Sequence, residues 1–384
     1  MTFFRAAVAA LSVLITASAC ASFSDPDPQR DVVTLGEKLP AAEIDESSLP
    51  FPFHDLPAWS LPFDDPPQSL DGILFGLRHT GDVLEFTAVS TSGEALWSTQ
   101  RPATCSGFTL TYADGEPVAV LTDVTSTDDA LAQVTASAYD LHTGEPVWGP
   151  VKVEGPWHGP GTVFAQAAPA STMGEVGDKQ VLNPDTGKQV DVTGEILGEF
   201  QGTILTYSSG EDGSVRAEGA HTWTTPLTDL ALGDDTPTSL AAMPGVEAPP
   251  GVAMIAVDDA EEAAVVWVED GRVLTTQATS AVWDASVELV VTTEPHSLAA
   301  HDLDGPVWNR GLDDDMRLVA SGGVLAFLRS DESVQVVNAL TGEDAVGYPP
   351  DASSYAVPYL ITSNGAAVFS SDGLVLVGVE EPPG

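Results

Sequence analysis

From about residue 70 onward the apolar residues come in short runs of strand length. Ile73-Leu74-Phe75-Gly76-Leu77, Val118-Ala119-Val120-Leu121, Val252-Ala253-Met254-Ile255-Ala256-Val257, Val287-Glu288-Leu289-Val290-Val291 and Val324-Leu325-Ala326-Phe327-Leu328 are each bounded by turn-forming residues. No segment keeps an i, i+3, i+4 apolar stripe for three clean helical turns. Asp258 to Val268 comes nearest, and its Val265-Val266-Trp267-Val268 end suits a strand better. The pattern predicts an all-β body.

The runs recur with a marker between them: a strand, a turn with Asp, Asn or Ser followed by Gly, then a second strand that often carries Trp four residues after the Gly. Tyr139-Asp140-Leu141-His142-Thr143-Gly144-Glu145-Pro146-Val147-Trp148 is the clearest copy, and Val89 to Trp97 is another. The marker glycines are Gly93, Gly144, Gly187, Gly219, Gly271, Gly305, Gly342 and Gly373; they stand 31 to 52 residues apart and average 40, the period of a four-stranded propeller blade. A tight hairpin needs a residue with positive φ, which Gly adopts without a Cβ clash, and an Asp or Asn just before it can bond the turn backbone. A Trp on the next strand supplies flat surface to bury between neighbouring sheets, which one blade cannot bury alone. These features predict a β-propeller over residues 70–384, of eight blades with seven as the alternative, and with a strand of the N-terminal segment available to close the ring.

The Asp-x-x-Thr-Gly-Glu-x-x-Trp unit at Asp140 to Trp148 resembles the pyrroloquinoline-quinone-like repeat of WD40- and YVTN-like propellers, found in bacterial quinoproteins and in non-enzymatic envelope lipoproteins. The likeness extends, with decay, over residues 70 to 380. It implies that Trp97, Trp148, Trp223 and Trp308 dock one blade on the next. It does not carry docking to the positions held by Asp191, Thr275, Val346 and Val377.

The N-terminus reads as an export signal over residues 1–19: a basic start to Arg5, an apolar stretch Ala6 to Ile15, and small residues Thr16-Ala17-Ser18-Ala19. Ala17-Ser18-Ala19-Cys20 resembles a bacterial lipobox, departing from it at Ala17, where a large aliphatic is usual. The resemblance implies lipidation of Cys20 and a place on the outer face of the cytoplasmic membrane; plain secretion is the alternative. Only one other cysteine exists, Cys105, so the competing arrangement is a Cys20 to Cys105 disulfide. Residues 20–69, rich in acids and prolines, are expected to form a tether followed by an aromatic segment lying on the body. Trp59 there, and Trp157 and His158 in the Gly155 to Gly159 loop, are candidate partner contacts.

Composition narrows the partners. With 57 Asp and Glu against 13 Lys and Arg the net charge is −44, and this excludes nucleic acid and binding to anionic lipid through charge. The acids are spread in ones, twos and threes, as a solvated surface. Outside the first nineteen residues no apolar stretch approaches the roughly 20 residues of a membrane span. The seven histidines form no HxH or HExxH pattern, and no Gly-x-Ser-x-Gly, P-loop or GxGxxG element occurs. Acidic turns such as Asp302-Leu303-Asp304-Gly305 offer oxygen ligands without the twelve-residue calcium loop. No catalytic residue, metal or cofactor is therefore expected, structural Ca²⁺ being the one cation considered. The functional expectation is a non-catalytic binding or scaffold module, anchored through lipid on Cys20, for another envelope protein or a soluble ligand. The alternative is an extracytoplasmic enzyme, a quinoprotein-like dehydrogenase or carboxylate-based hydrolase, working in the propeller funnel.

Overall fold

The computed structural model describes residues 28–104, 106–127, 130–166, 177–208, 213–231, 237–241, 251–257, 262–284, 286–313, 315–371 and 373–379. Export signal, Cys20 and Cys105 lie outside them.

The strands form antiparallel sheets in chain order around a ring, a β-propeller. Blade 1 holds Gln68–Leu70, Ile73–Thr80, Val83–Ser90 and Glu94–Pro102, from the innermost strand outward; blade 2 holds Phe108–Ala113, Glu116–Thr127, Ala130–Asp140 and Pro146–Lys152. Blade 3 is reduced to Val163–Ala165 and Lys179–Val181. Blade 4 runs Glu195–Phe200, Thr203–Ser208, Ser214–Gly219 and Trp223–Pro226; blade 5 runs Pro237–Ala241, Val252–Val257, Ala263–Trp267 and Val273–Ala278. Blade 6 comprises Ser280–Asp284, Leu289–Glu294, Ser297–Asp302 and Gly305–Gly311, and blade 7 Arg317–Gly322, Leu325–Arg329 and Val334–Asn338. Blade 8 joins Pro358–Ile361, Ala367–Ser370 and Leu374–Val377 to a strand from the other end of the chain, Ala58–Ser60. Seven of these sheets hold three to five strands, and the eighth, blade 3, holds two.

Each gap between consecutive sheets is filled by its own apolar cluster. Phe75, Phe86, Trp97 and Phe108 sit between blades 1 and 2, while Val163, Val181, Ile196 and Ile204 join blade 3 to blade 4. The last gap, between blades 8 and 1, holds Trp59, Leu61, Phe63, Leu74, Val368 and Leu376. Alternation along each strand sends side chains to both faces, so every blade is apolar on both sides and stable only between neighbours.

The N-terminal segment departs from the expected tether. Val33–Lys38 pairs with the edge of blade 1 as a fifth strand, with Val33 opposite Ser98 and Lys38 opposite Glu94. Phe53 then packs edge-on to Phe369 of blade 8 at 5.4 Å, and Trp59 pairs with Leu376. An outer strand with unpaired N–H and C=O groups is a template for pairing. The segment covers one such edge and completes the other sheet, so the folded body begins well before residue 70.

Turn chemistry fixes the two hairpins at one end of each blade. The eight marker glycines all have φ between +66° and +145°. In the clearest one, Asp140 Oδ1 accepts from the amides of His142 and Thr143, at 3.0 and 2.7 Å, and Gly144 N donates to Asp140 O. The hairpins between first and second strands use Asp71-Gly72, Asp114-Gly115 and Gln201-Gly202, with φ near +50° and then +73° to +83°, the positive pair of a type I′ turn. Seven of the marker turns and the first hairpins lie on the same face of the ring, called here the turn face, while Gly373, between the second and third strands of blade 8, lies on the other.

Candidate binding face and the blade contacts behind it

The Trp residues of the repeat reach across the gaps between blades. Trp97 Nε1 donates to Leu141 O at 2.9 Å, Trp148 to Pro184 O at 2.6 Å, Trp223 to Val268 O at 2.6 Å and Trp308 to Ala339 O at 2.8 Å. In each case the accepting carbonyl lies three residues before a marker glycine, and the indole covers that glycine. A Cβ at Gly144 would stand 2.9 Å from Trp97, and one at Gly187 would stand 2.5 Å from Trp148. Gly271 and Gly342 lie in the same way under Trp223 and Trp308. Here glycine is required by close approach as well as by φ.

Trp59 belongs to this set, which corrects its expected place at a partner surface. It is 6 % exposed, and its indole lies over Gly93, where a Cβ would come within 2.2 Å. Lys38 Nζ stands 5.3 Å above the same ring. The sequence reading placed Val377 at the docking position of the last repeat. Val377 is in the third strand of blade 8, whereas the fourth strand, and its Trp, come from residues 58–60.

Three gaps have no Trp at this place, those entering Gly219 and Gly305 and the gap between blades 7 and 8; Gly373, the last glycine of the repeat pattern, joins the second and third strands of blade 8 and is not a docking turn. In the gap between blades 5 and 6 the guanidinium of Arg272 donates to Leu303 O. Leu303 follows Asp302 as Leu141 follows Asp140, so the cation engages the carbonyl that an indole takes elsewhere.

Of the other candidate contacts, Trp157 is half-buried, donates from Nε1 to Gly161 O at 2.9 Å, and covers Gly159. This makes it a packing residue of its own loop. His158 beside it is at the surface, and partial desolvation of its ring, followed by the charge of Lys179, lowers its pKa.

Two carboxylates with raised pKa are held within the ring. Glu199, 2 % exposed, accepts from Gly202 N at 2.6 Å and Thr111 Oγ1 at 3.2 Å on one oxygen, and from Thr162 N at 3.0 Å on the other. Its donors come from blade 2, the start of blade 3 and blade 4. Desolvation raises its pKa against the pull of these hydrogen bonds. Asp284 accepts from Ser286 N and Oγ, and from Ser321 Oγ of blade 7 at 3.0 Å, and burial raises it too. His301, 4 % exposed, has its pKa lowered by burial, opposed by Glu294 and Asp302. Asp302 of the acidic turn is occupied as a turn former, its Oδ1 accepting from Asp304 N and Gly305 N. Among the described residues no three His, Cys, Asp or Glu side chains converge as metal ligands.

One cavity of about 570 Å³ opens on the turn face, among the hairpin tips of blades 2, 3 and 4. Tyr112, Asp114, Asn183, Asp185, Gln201 and Ala220 line it. Asp114 N donates to Asp185 Oδ1 at 2.8 Å, and Tyr112 Oη donates to Asp71 Oδ1 of blade 1 at 2.7 Å, tying neighbouring tips together. Glu199, bonded to Gly202 of the lining, braces the wall from inside. Of the lining residues only Gly219 was singled out from sequence, as a turn glycine and not as a contact. The tips Asp114-Gly115 and Gln201-Gly202 and the turn at Asn183 to Gly187 are far apart in sequence, and only the ring brings them together.

The fold and these contacts define a β-propeller whose blades are docked by tryptophans and closed by its own N-terminal strand. No protein-family model matches the chain, and no curated protein matches its sequence. Solved structures that resemble it include AztD of Citrobacter koseri, 12 % identical over 82 % of this chain and 90 % of that one, with a TM-score of 0.45. The WD40 domain of Toxoplasma gondii coronin is 9 % identical over 91 % of this chain and 86 % of that one, with a TM-score of 0.36. Identity at this level bears on the fold alone.

Proposed function

We propose that this chain is an exported propeller, anchored at Cys20 on the outer face of the cytoplasmic membrane, that binds a soluble ligand or extracytoplasmic protein through its turn face. The cavity among the tips of blades 2 to 4 is the observation that carries the binding reading. It is concave and polar, and its walls include the type I′ hairpin tips Asp114-Gly115 and Gln201-Gly202, with neighbouring tips cross-tied through Asp114, Asp185 and Tyr112. Such walls present side chains on rigid backbone at low entropic cost, which is how loops on a stable scaffold serve recognition. The start of the sequence supports export and lipidation, and the repeat's likeness to non-enzymatic envelope propellers supports a scaffold role.

Ala220 is exposed at the rim of the cavity. Ala220→Trp should fill the opening and leave the blade contacts intact. Photocrosslinking from position 220 in intact cells, compared with the same label at Asp82 on the opposite face, is the test. A partner trapped from 220 and not from 82, whose co-purification with the unlabelled protein is lost on Ala220→Trp, is expected. Trapping from Asp82 alone would move the binding face. Turnover of a substrate by the purified body, abolished by Ala220→Trp, would replace the scaffold reading with the enzyme one.

A further inference from the structure

The position at which the chain joins the ring bears on which face meets the membrane. The fifth strand runs antiparallel to the outermost strand of blade 1, so residue 33 lies toward Pro102 and residue 38 toward the turn at Gly93. Residues 29 and 30 continue the ladder past its end. Gln100 N donates to Gln29 O at 2.8 Å, and Gln29 N to Gln100 Oε1 at 3.1 Å. Thr99 Oγ1 and the buried guanidinium of Arg101 both donate to Arg30 O, and Arg30 is paired with Asp123 at 2.8 Å. The junction is therefore fixed at the Pro102 end, beside the hairpin tip Gly81-Asp82, whose Asp82 O accepts from Ala103 N. That is the face opposite the cavity.

Eight residue steps separate Cys20 from Pro28. At about 3.5 Å per step they span at most about 28 Å. The outermost strand of blade 1 has nine residues, so the blade is about 27 Å from face to face at about 3.3 Å per residue. Even fully extended, the link barely equals the height of the blade. Resting on the anchored reading above, we infer that the propeller stands on the Asp82 side of blade 1 and presents the turn face, with its cavity, away from the membrane. The occupant of the cavity is then a soluble molecule or the exposed part of a protein arriving from the aqueous side, and a lipid headgroup of the same membrane is not its ligand.

The test uses full-length acylated protein with Cys105→Ser, in which the Cys20 sulfur is consumed as a thioether. One free thiol is introduced at a time, Asp82→Cys or Ala220→Cys, both at exposed positions. Each is labelled with a donor dye, and energy transfer is read to a headgroup-labelled acceptor in phosphatidylcholine vesicles. Transfer should be higher from position 82 than from position 220. A 30-residue Gly-Ser insertion after residue 27 should erase the difference while the protein still floats with the vesicles. Flotation with equal transfer, or with the higher transfer from 220, overturns the orientation and leaves the anchor standing. Failure to float, with no diacylglyceryl mass on Cys20, overturns the anchor and the orientation together.

Discussion

Trp59→Ala should open the ring at its seam. The indole is buried between blades 8 and 1, over Gly93 and beneath Lys38, and belongs to a strand reaching blade 8 from the opposite end of the chain. Burying a Trp removes about 150–250 Å² from water, which at about 25 cal/mol per Å² is about 4–6 kcal/mol as an upper bound. Measured Trp or Phe to Ala losses in cores are about 3–5 kcal/mol, and the partly exposed Lys38 contact adds about 0.5 kcal/mol. A loss of about 3–5 kcal/mol is expected in urea unfolding by linear extrapolation, with Trp59→Phe losing less than half of that. The seam also separates this substitution from Trp223→Ala, which breaks a gap between blades adjacent in sequence. Limited proteolysis of Trp59→Ala should cut first between residues 28 and 66, whereas Trp223→Ala should leave that segment protected. Removal of residues 1–27 should leave stability unchanged, and removal of residues 1–60 should abolish cooperative unfolding. A loss below about 1 kcal/mol for Trp59→Ala, with the N-terminal segment still protected, would refute closure by this strand.

Glu199→Gln places an amide donor opposite the N–H of Thr162 or Gly202 and should cost about 1–3 kcal/mol in denaturant unfolding. Because the folded pKa of Glu199 is raised by burial, its contribution is greatest at low pH and is lost as pH rises through the folded value. The gap between wild type and Glu199→Gln should therefore widen on acidification, which unfolding curves at several pH values will read. Arg272→Met removes the donor to Leu303 O; with the arginine side chain 39 % exposed, about 1 kcal/mol is expected. For His301 the folded pKa lies below the ordinary 6.5. Stability is thus lost as pH falls through 6.5 toward the folded value, and His301→Leu should flatten that part of the wild-type pH profile.

The repeat was legible because it is written in local chemistry. Asp140, Thr143 and Gly144 make their turn from neighbouring residues, and a Trp four positions on announces the strand that follows. The Trp-less gaps were legible for the same reason, since Asp191 and Thr275 offer no indole to the next turn. What depends on contacts between distant segments could not be read in this way. Trp59 read as a possible partner contact in an aromatic segment lying on the body, because its glycine is 34 residues on and its sheet partner Leu376 is at the other end of the chain. Arg272 carries no local mark in the sequence, and only the ring brings it to Leu303. The cavity was hidden because Asp114, Asp185 and Gln201 are ordinary turn residues until three tips converge.

The eight gaps show how a decayed repeat can still close. Five are docked by indoles, Trp59, Trp97, Trp148, Trp223 and Trp308, each over a glycine of the next blade. The other three use different means. Between blades 5 and 6 Arg272 takes the carbonyl an indole would take. Between blades 3 and 4, where blade 3 has only two strands to offer, Glu199 reaches back to Thr162 and Thr111 and ties three blades near the axis. Between blades 7 and 8 Leu49 and Phe53 of the N-terminal segment enter the cluster of Phe327, Tyr348 and Phe369. The N-terminal segment thus serves two consecutive gaps, with Phe53 on one side of blade 8 and Trp59 on the other. Blade 8 is held from both sides by residues from the opposite end of the chain, so its closure carries a larger loop-closure cost than the local hairpins of the other blades.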